Sequence, residues 1–179
     1  TPRTCARVLG ASVMASLRIL YQEPPDLGSW IDRIHRQILQ SSDATHFATL
    51  FLALLDPAAH RLVYASAGHD PVIMIGPGDA VRELGATGLP AGMLPGSTFE
   101  VAAVDLPPGG LVAIYTDGLR EATRGDEELY GTERIAAALA QRRDRPLQEI
   151  VAEIFADVSG FTGVAAYDDD ATLLLLRRA

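Results

Sequence analysis

Asp117 and Gly118 stand directly after the apolar run Leu111, Val112, Ala113, Ile114, Tyr115 and Thr116, and Asp168, Asp169 and Asp170 stand just before a second apolar run that begins at Thr172. Both marks put carboxylates at the end of a segment that reads as a buried strand. Carboxylates gathered at one sheet edge are the usual protein half of a Mg²⁺ or Mn²⁺ site, because hard cations take oxygen ligands. Metal beside phosphate means phosphoryl chemistry. The reading depends on the two strands being neighbours. Alone, Asp-Gly is among the commonest turn pairs, and an aspartate loop is as ordinary in solvent. Three adjacent carboxylates repel one another, however, and a cation relieves that repulsion. Gly118 would leave room beside an ion, and Thr172 is placed to orient a carboxylate.

A second cluster, Ser66, Gly68, His69, Asp70 and Pro71, offers a serine, a histidine and an aspartate close in sequence. Triad residues normally come from distant segments, and no Gly-x-Ser-x-Gly elbow is present. A loop whose His69 lines a site rim is the better reading. His35, His46 and His60 are scattered, with no His-x₃-His pair for zinc. No glycine-rich nucleotide motif occurs.

The elements that must hold these groups follow from periodicity. Leu9, Val13, Met14, Leu17 and Leu20 predict a helix over 9–21, and Trp30, Ile31, Ile34, Ile38 and Leu39 predict a second from Ser29, with Asp32 completing a partial capping box. Strands are expected at 47–55, 61–67, 72–75, 81–84, 99–106 and 111–116, with an irregular Gly- and Pro-rich segment at 87–96. Thr132 is expected to cap a helix to about 142, a last helix covers 147–158, and a terminal strand covers 172–177. Short turns between strands imply antiparallel pairing. The economical architecture is α+β, with helices outside two packed antiparallel sheets.

A chain of 179 residues, 48% hydrophobic and 21% charged, suits one globular domain spanning 1–179. Its net charge of -8 argues against a general binder of nucleic acid or anionic membrane. Cys5 is the only cysteine, which excludes an internal disulfide or a thiolate zinc cluster and points to a reducing, cytoplasmic setting. No apolar run approaches the roughly 20 residues of a membrane span. The start at Thr1, with neither Met nor an apolar signal core, suggests an excised domain.

The ordered set FATLF at 47–51, YASAGHDP at 64–71, TGLPAGM at 87–93, YTDGLREA at 115–122, YGTER at 130–134 and DDATLL at 169–174 resembles the SpoIIE-type branch of the metal-dependent (PPM) serine/threonine protein phosphatases. The resemblance runs from about Leu9 to the C-terminus. It implies two packed antiparallel sheets flanked by helices, with two Mn²⁺ or Mg²⁺ ions at one edge. It makes Asp117 one ligand, with Gly118 beside it, and Asp169 another, Asp168 and Asp170 being alternative registers. It implies attack by a metal-bound water on phosphoserine or phosphothreonine, with no protein nucleophile. The implied substrate is a phosphorylated bacterial signalling protein of the anti-sigma-factor antagonist type, under control of a regulatory or sensor domain. The family's further metal aspartates, in an Asp-x-x-Gly-His-Gly-like element before the first long helix, have no counterpart in residues 1–8. Asp157-Val158-Ser159-Gly160 copies that motif only superficially, at the end of the last predicted helix. The domain is therefore expected to be N-terminally incomplete or degenerate, and the alternative is a pseudophosphatase that binds a partner without turnover.

Overall fold

Turn residues divide the chain into short strands that pair with their neighbours, and amphipathic helices cover them. The computed structural model describes residues 2–41, 47–125, 128–163 and 170–179. They form two compact units, one of 1–69 and 86–105, the other of 70–85 and 106–179.

In the first unit, helix α2 (Leu27–Ser41), with α1 (Pro2–Leu20) packed beside it, covers an antiparallel sheet of order β1-β2-β5, made of β1 (Leu50–Asp56), β2 (Arg61–Ala67) and β5 (Ala102–Asp105). Strand alternation sends Leu50, Leu52, Leu54, Val63, Ala65 and Ala67 to one face, where they meet Trp30, Ile31, Ile34 and Ile38 of α2. The cap of α2 is Asp26, whose Oδ1 accepts from the Ser29 N–H at 3.1 Å, and not Ser29 itself. The β1–β2 turn is closed by Asp56, whose Oδ1 accepts from Ala58 N and Ala59 N at 3.0 and 2.9 Å.

The segment 87–96 is irregular, as expected, with no helix or strand, yet it is laced to this sheet. Thr87 N and Gly88 N donate to Ser66 O at 2.8 and 3.1 Å, Gly68 N donates to Gly88 O at 3.0 Å, and Ala48 and Ala91 exchange both backbone bonds. Thr87 Oγ1 accepts from Ser66 N at 2.9 Å. Gly68 has φ +64°, and a Cβ there would stand 2.5 Å from Pro90 Cγ. Only glycine meets both demands. His35, buried on α2, accepts the Gly92 N–H on Nδ1 at 3.0 Å and stands edge-on to Phe99, with ring centroids 5.3 Å apart.

In the second unit the sheet order is β4-β3-β6-β9, with β3 (Val72–Ile75), β4 (Val81–Leu84), β6 (Leu111–Tyr115) and β9 (Leu173–Arg177), all antiparallel. A 3₁₀ turn, Pro77–Asp79, joins β3 to β4. Helices α4 (Gly131–Arg142) and α5 (Leu147–Thr162) lay Ile135, Leu139, Ile150, Ile154 and Val158 on Ile73, Ile75, Leu111, Ala113 and Tyr115. Each such buried apolar side chain contributes about 1.5–3 kcal/mol of transfer free energy. Val72, Met74 and Val112, which alternate to the opposite face, are buried as well. Thr132 lies within α4 rather than at its cap, which is Tyr130. Asp157 lies inside α5 and accepts from Arg142 Nη2 at 2.7 Å, a structural tie between α5 and α4.

Periodicity missed three small elements: the helix α3 (Asp117–Arg120) and the two-residue strands β7 (Thr123–Arg124) and β8 (Glu128–Leu129), which pair as a hairpin. Among the described residues no helix is long and apolar enough to cross a membrane.

Candidate metal centre at the β6–β9 sheet edge

Strands β6 and β9 are neighbours, as the two acidic marks require. Their register sets Tyr115 opposite Leu173 and Leu111 opposite Arg177. Antiparallel pairing therefore brings the segment leaving β6, with Asp117, to the same edge as the segment entering β9, with Asp170. Asp168 and Asp169 lie outside the described residues.

Thr116 joins the two segments. Its N–H donates to Thr172 O at 3.1 Å, its Oγ1 accepts from Thr172 N at 2.9 Å, and its hydroxyl donates to Asp170 O at 2.9 Å. The side chain that orients this corner is thus Thr116, while Thr172 contributes its backbone. Asp117 then opens α3, a single turn closed by Glu121 N donating to Asp117 O at 2.7 Å. The exposed Asp117 carboxylate accepts from Gly118 N at 2.9 Å through Oδ1. An ionised carboxylate has about four lone-pair sites, so that bond leaves most of its acceptor capacity for another partner. Gly118 and Leu119 are buried beneath it.

Neighbouring side chains fix the corner. Tyr115, fully buried, donates its hydroxyl to Thr132 Oγ1 at 3.3 Å. Burial pushes the Tyr115 phenol above its usual range, Asp70 and Glu83 push the same way, and Thr132 and Arg120 oppose them. Arg120 Nε donates to Asp70 Oδ2 at 3.4 Å, and its Nη2 donates to Glu121 Oε1 at 2.5 Å. Burial disfavours the Arg120 charge, but Asp70 and Glu121 outweigh it and hold the guanidinium above its ordinary value.

The oxygen-only, exposed donor set at this edge fits a hard divalent cation in type. Among the described residues no group of three His, Cys, Asp or Glu side chains converges on one point. The alternative Ser66–His69 site is not assembled. Among the described residues the buried Ser66 Oγ has no hydrogen-bond partner, and His69 stands against the Phe51 ring, at 6.0 Å between centroids. Asp70, read from sequence as part of that loop, belongs to the β6 corner through Arg120.

The fold is that of the PP2C-type (PPM) phosphatases, α+β with antiparallel sheets flanked by helices. The SiaA-PP2C domain of Pseudomonas aeruginosa superposes with a TM-score of 0.80 at 20% identity, covering 96% of this chain and 68% of that one. RsbX in complex with magnesium superposes with a TM-score of 0.67 at 19% identity, covering 95% of this chain and 72% of that one. The chain belongs to the family of stage II sporulation protein E (SpoIIE), whose model matches residues 5–179. It is 30% identical over 139 residues to protein IcfG of Synechocystis, covering 78% of this chain and 22% of IcfG. It is 26% identical over 149 residues to the phosphoserine phosphatase RsbU of Bacillus subtilis, covering 83% of this chain and 44% of RsbU. The chain thus spans less than half the length of these relatives.

Proposed function

We propose that residues 1–179 form a single phosphatase domain that hydrolyses phosphoserine or phosphothreonine on a bacterial signalling protein, with Mn²⁺ or Mg²⁺ held by Asp117 and by Asp169 or Asp170. One observation supports this reading: β6 and β9 pair so that Asp117 and Asp170 share one sheet edge, joined through Thr116. The cation, when bound, supplies charge for the phosphoryl oxygens and lowers the pKa of water. The chain supplies the carboxylates, and Thr116, Tyr115 and Arg120 hold the segment that presents them. The RsbU likeness supports a phosphoserine substrate, and the sequence resemblance extends it to a cytoplasmic anti-sigma-factor antagonist under a sensor domain. The test is hydrolysis of p-nitrophenyl phosphate and of a phosphoserine protein with Mn²⁺, with and without chelator. Unchanged activity in the Asp117→Ala, Asp169→Ala double variant would overturn the reading.

A second reading is a pseudophosphatase that binds its phosphoprotein partner without turnover. Calorimetric titration with Mn²⁺ separates the two. Two-site binding accompanied by turnover excludes the binding module.

A further inference from the structure

A four-residue helix has no stability of its own, since nucleation costs more than a single turn returns. Helix α3 is such a turn, and it carries Asp117. Its place must come from its attachments. Thr116 ties its start to β9, on one side of β6. Leu119 anchors its middle in the core. Its last residue, Arg120, reaches the other way, to Asp70, just ahead of β3. In the sheet order, β3 flanks β6 on the side away from β9. Ile73 pairs with Ala113, and continuing that register sets Asp70 level with Thr116, at the same edge.

We propose that Asp70 and Arg120 are a positioning pair that holds α3, and with it the Asp117 carboxylate, at the sheet corner. The two side chains are 25% and 29% exposed, so water screens them less than it screens a pair standing in solvent. Glu121 Oε1 accepts from a second nitrogen of the guanidinium, Nη2, at 2.5 Å. The pair thus does for the β3 side of the corner what Thr116 does for the β9 side. Its bearing on metal rests on the function proposed above, whereas its hold on α3 does not.

The test uses the 179-residue chain with Asp70→Asn, Arg120→Gln and the charge-swapped Asp70→Arg, Arg120→Asp variant. Hydrogen exchange of the Gly118 to Glu121 amides is followed without metal, and Mn²⁺ binding is followed by calorimetry. Each single variant should exchange these amides roughly tenfold faster, while β3 amides keep their rate. Each should also bind Mn²⁺ roughly 10–100-fold more weakly, the usual loss when the partner that orients a ligand is removed. The swap should recover part of both losses, which a merely space-filling role would not allow. Wild-type exchange at α3 in both single variants overturns the proposal, as does unchanged Mn²⁺ affinity beside accelerated exchange. If the wild-type chain binds no Mn²⁺, the proposed metal site fails, and the exchange data alone decide whether the pair holds α3.

Discussion

Thr116 and Thr172 exchange two hydrogen bonds at the end of the β6–β9 ladder, and one of the two uses a side chain. Thr116 N donates to Thr172 O at 3.1 Å, while Thr172 N donates to Thr116 Oγ1 at 2.9 Å. The same hydroxyl donates a hydrogen bond to Asp170 O. One side chain therefore completes the ladder and ties the approach to Asp170 to the exit toward Asp117. Thr116→Val keeps shape and strand propensity but removes both bonds. It should cost about 1–2 kcal/mol in urea unfolding, as expected for two partly exposed hydrogen bonds. It should also weaken Mn²⁺ binding in the same calorimetric titration. Thr116→Ser, which keeps the hydroxyl, should restore most of both.

Asp117→Asn keeps the size of the side chain and an oxygen that can accept from Gly118 N. The charge is lost. Removing a partner that merely orients a ligand costs about 10–100-fold in affinity, so loss of a ligand should reach at least the upper end, about 100-fold. Melting temperature in chelator should stay close to wild type, because among the described residues the exposed carboxylate makes only the local bond to Gly118. Calorimetry and thermal melts check the two halves separately.

The buried strands were legible because their residues alternate or run apolar between turn signals, and β2, β3 and β4 fall at their expected bounds. Ends shifted where another contact claimed the residues. Strand β1 starts at Leu50 because Ala48 pairs with Ala91, and β5 starts at Ala102 because Glu100 N bonds Thr87 O. Helix α3 was illegible because four residues are too few for a period. Asp117 was readable as a strand-end carboxylate, whereas Asp70 was assigned to the wrong cluster. Its partner Arg120 is fifty positions away, and only the β3–β6 pairing brings them together.

Gly68 and Gly96 both have positive φ, +64° and +82°, but their surroundings differ. At Gly96 a Cβ would meet nothing within 4 Å, so Gly96→Ala should carry only the left-handed backbone cost, about 1–2 kcal/mol. At Gly68 the Cβ would stand 2.5 Å from Pro90 Cγ and 2.9 Å from Pro90 N. The packing clash adds about 1–3 kcal/mol to the same backbone cost. Gly68→Ala should therefore destabilise clearly more than Gly96→Ala in parallel chemical denaturation, and it should accelerate hydrogen exchange at Gly88, whose N–H donates to Ser66 O in the same lacing.

Glu128 sets the sign of one pH effect. Its carboxylate is held below the usual 4.5 first by its hydrogen bonds from Arg124; desolvation opposes this, and the Arg124 charge and then Arg134 add to the lowering. Both arginines also stack on Phe161, 4.6 and 4.8 Å from the ring centroid, so the carboxylate bridges two cations that pin the β7–β8 hairpin to α5. A folded-state pKa below the unfolded one gives stability that is complete above the unfolded value and is lost as pH falls through the folded one. The contribution should therefore be present at pH 6 and disappear below about pH 4.5. Glu128→Gln should melt slightly lower than wild type at pH 6, and the gap should close between pH 5 and pH 3. High salt should shrink the gap at pH 6, because these groups lie at the surface. Melting curves of both proteins across that range, at two salt concentrations, decide it: a gap that widens in acid would show that Glu128 gains nothing from its two arginines in the folded chain.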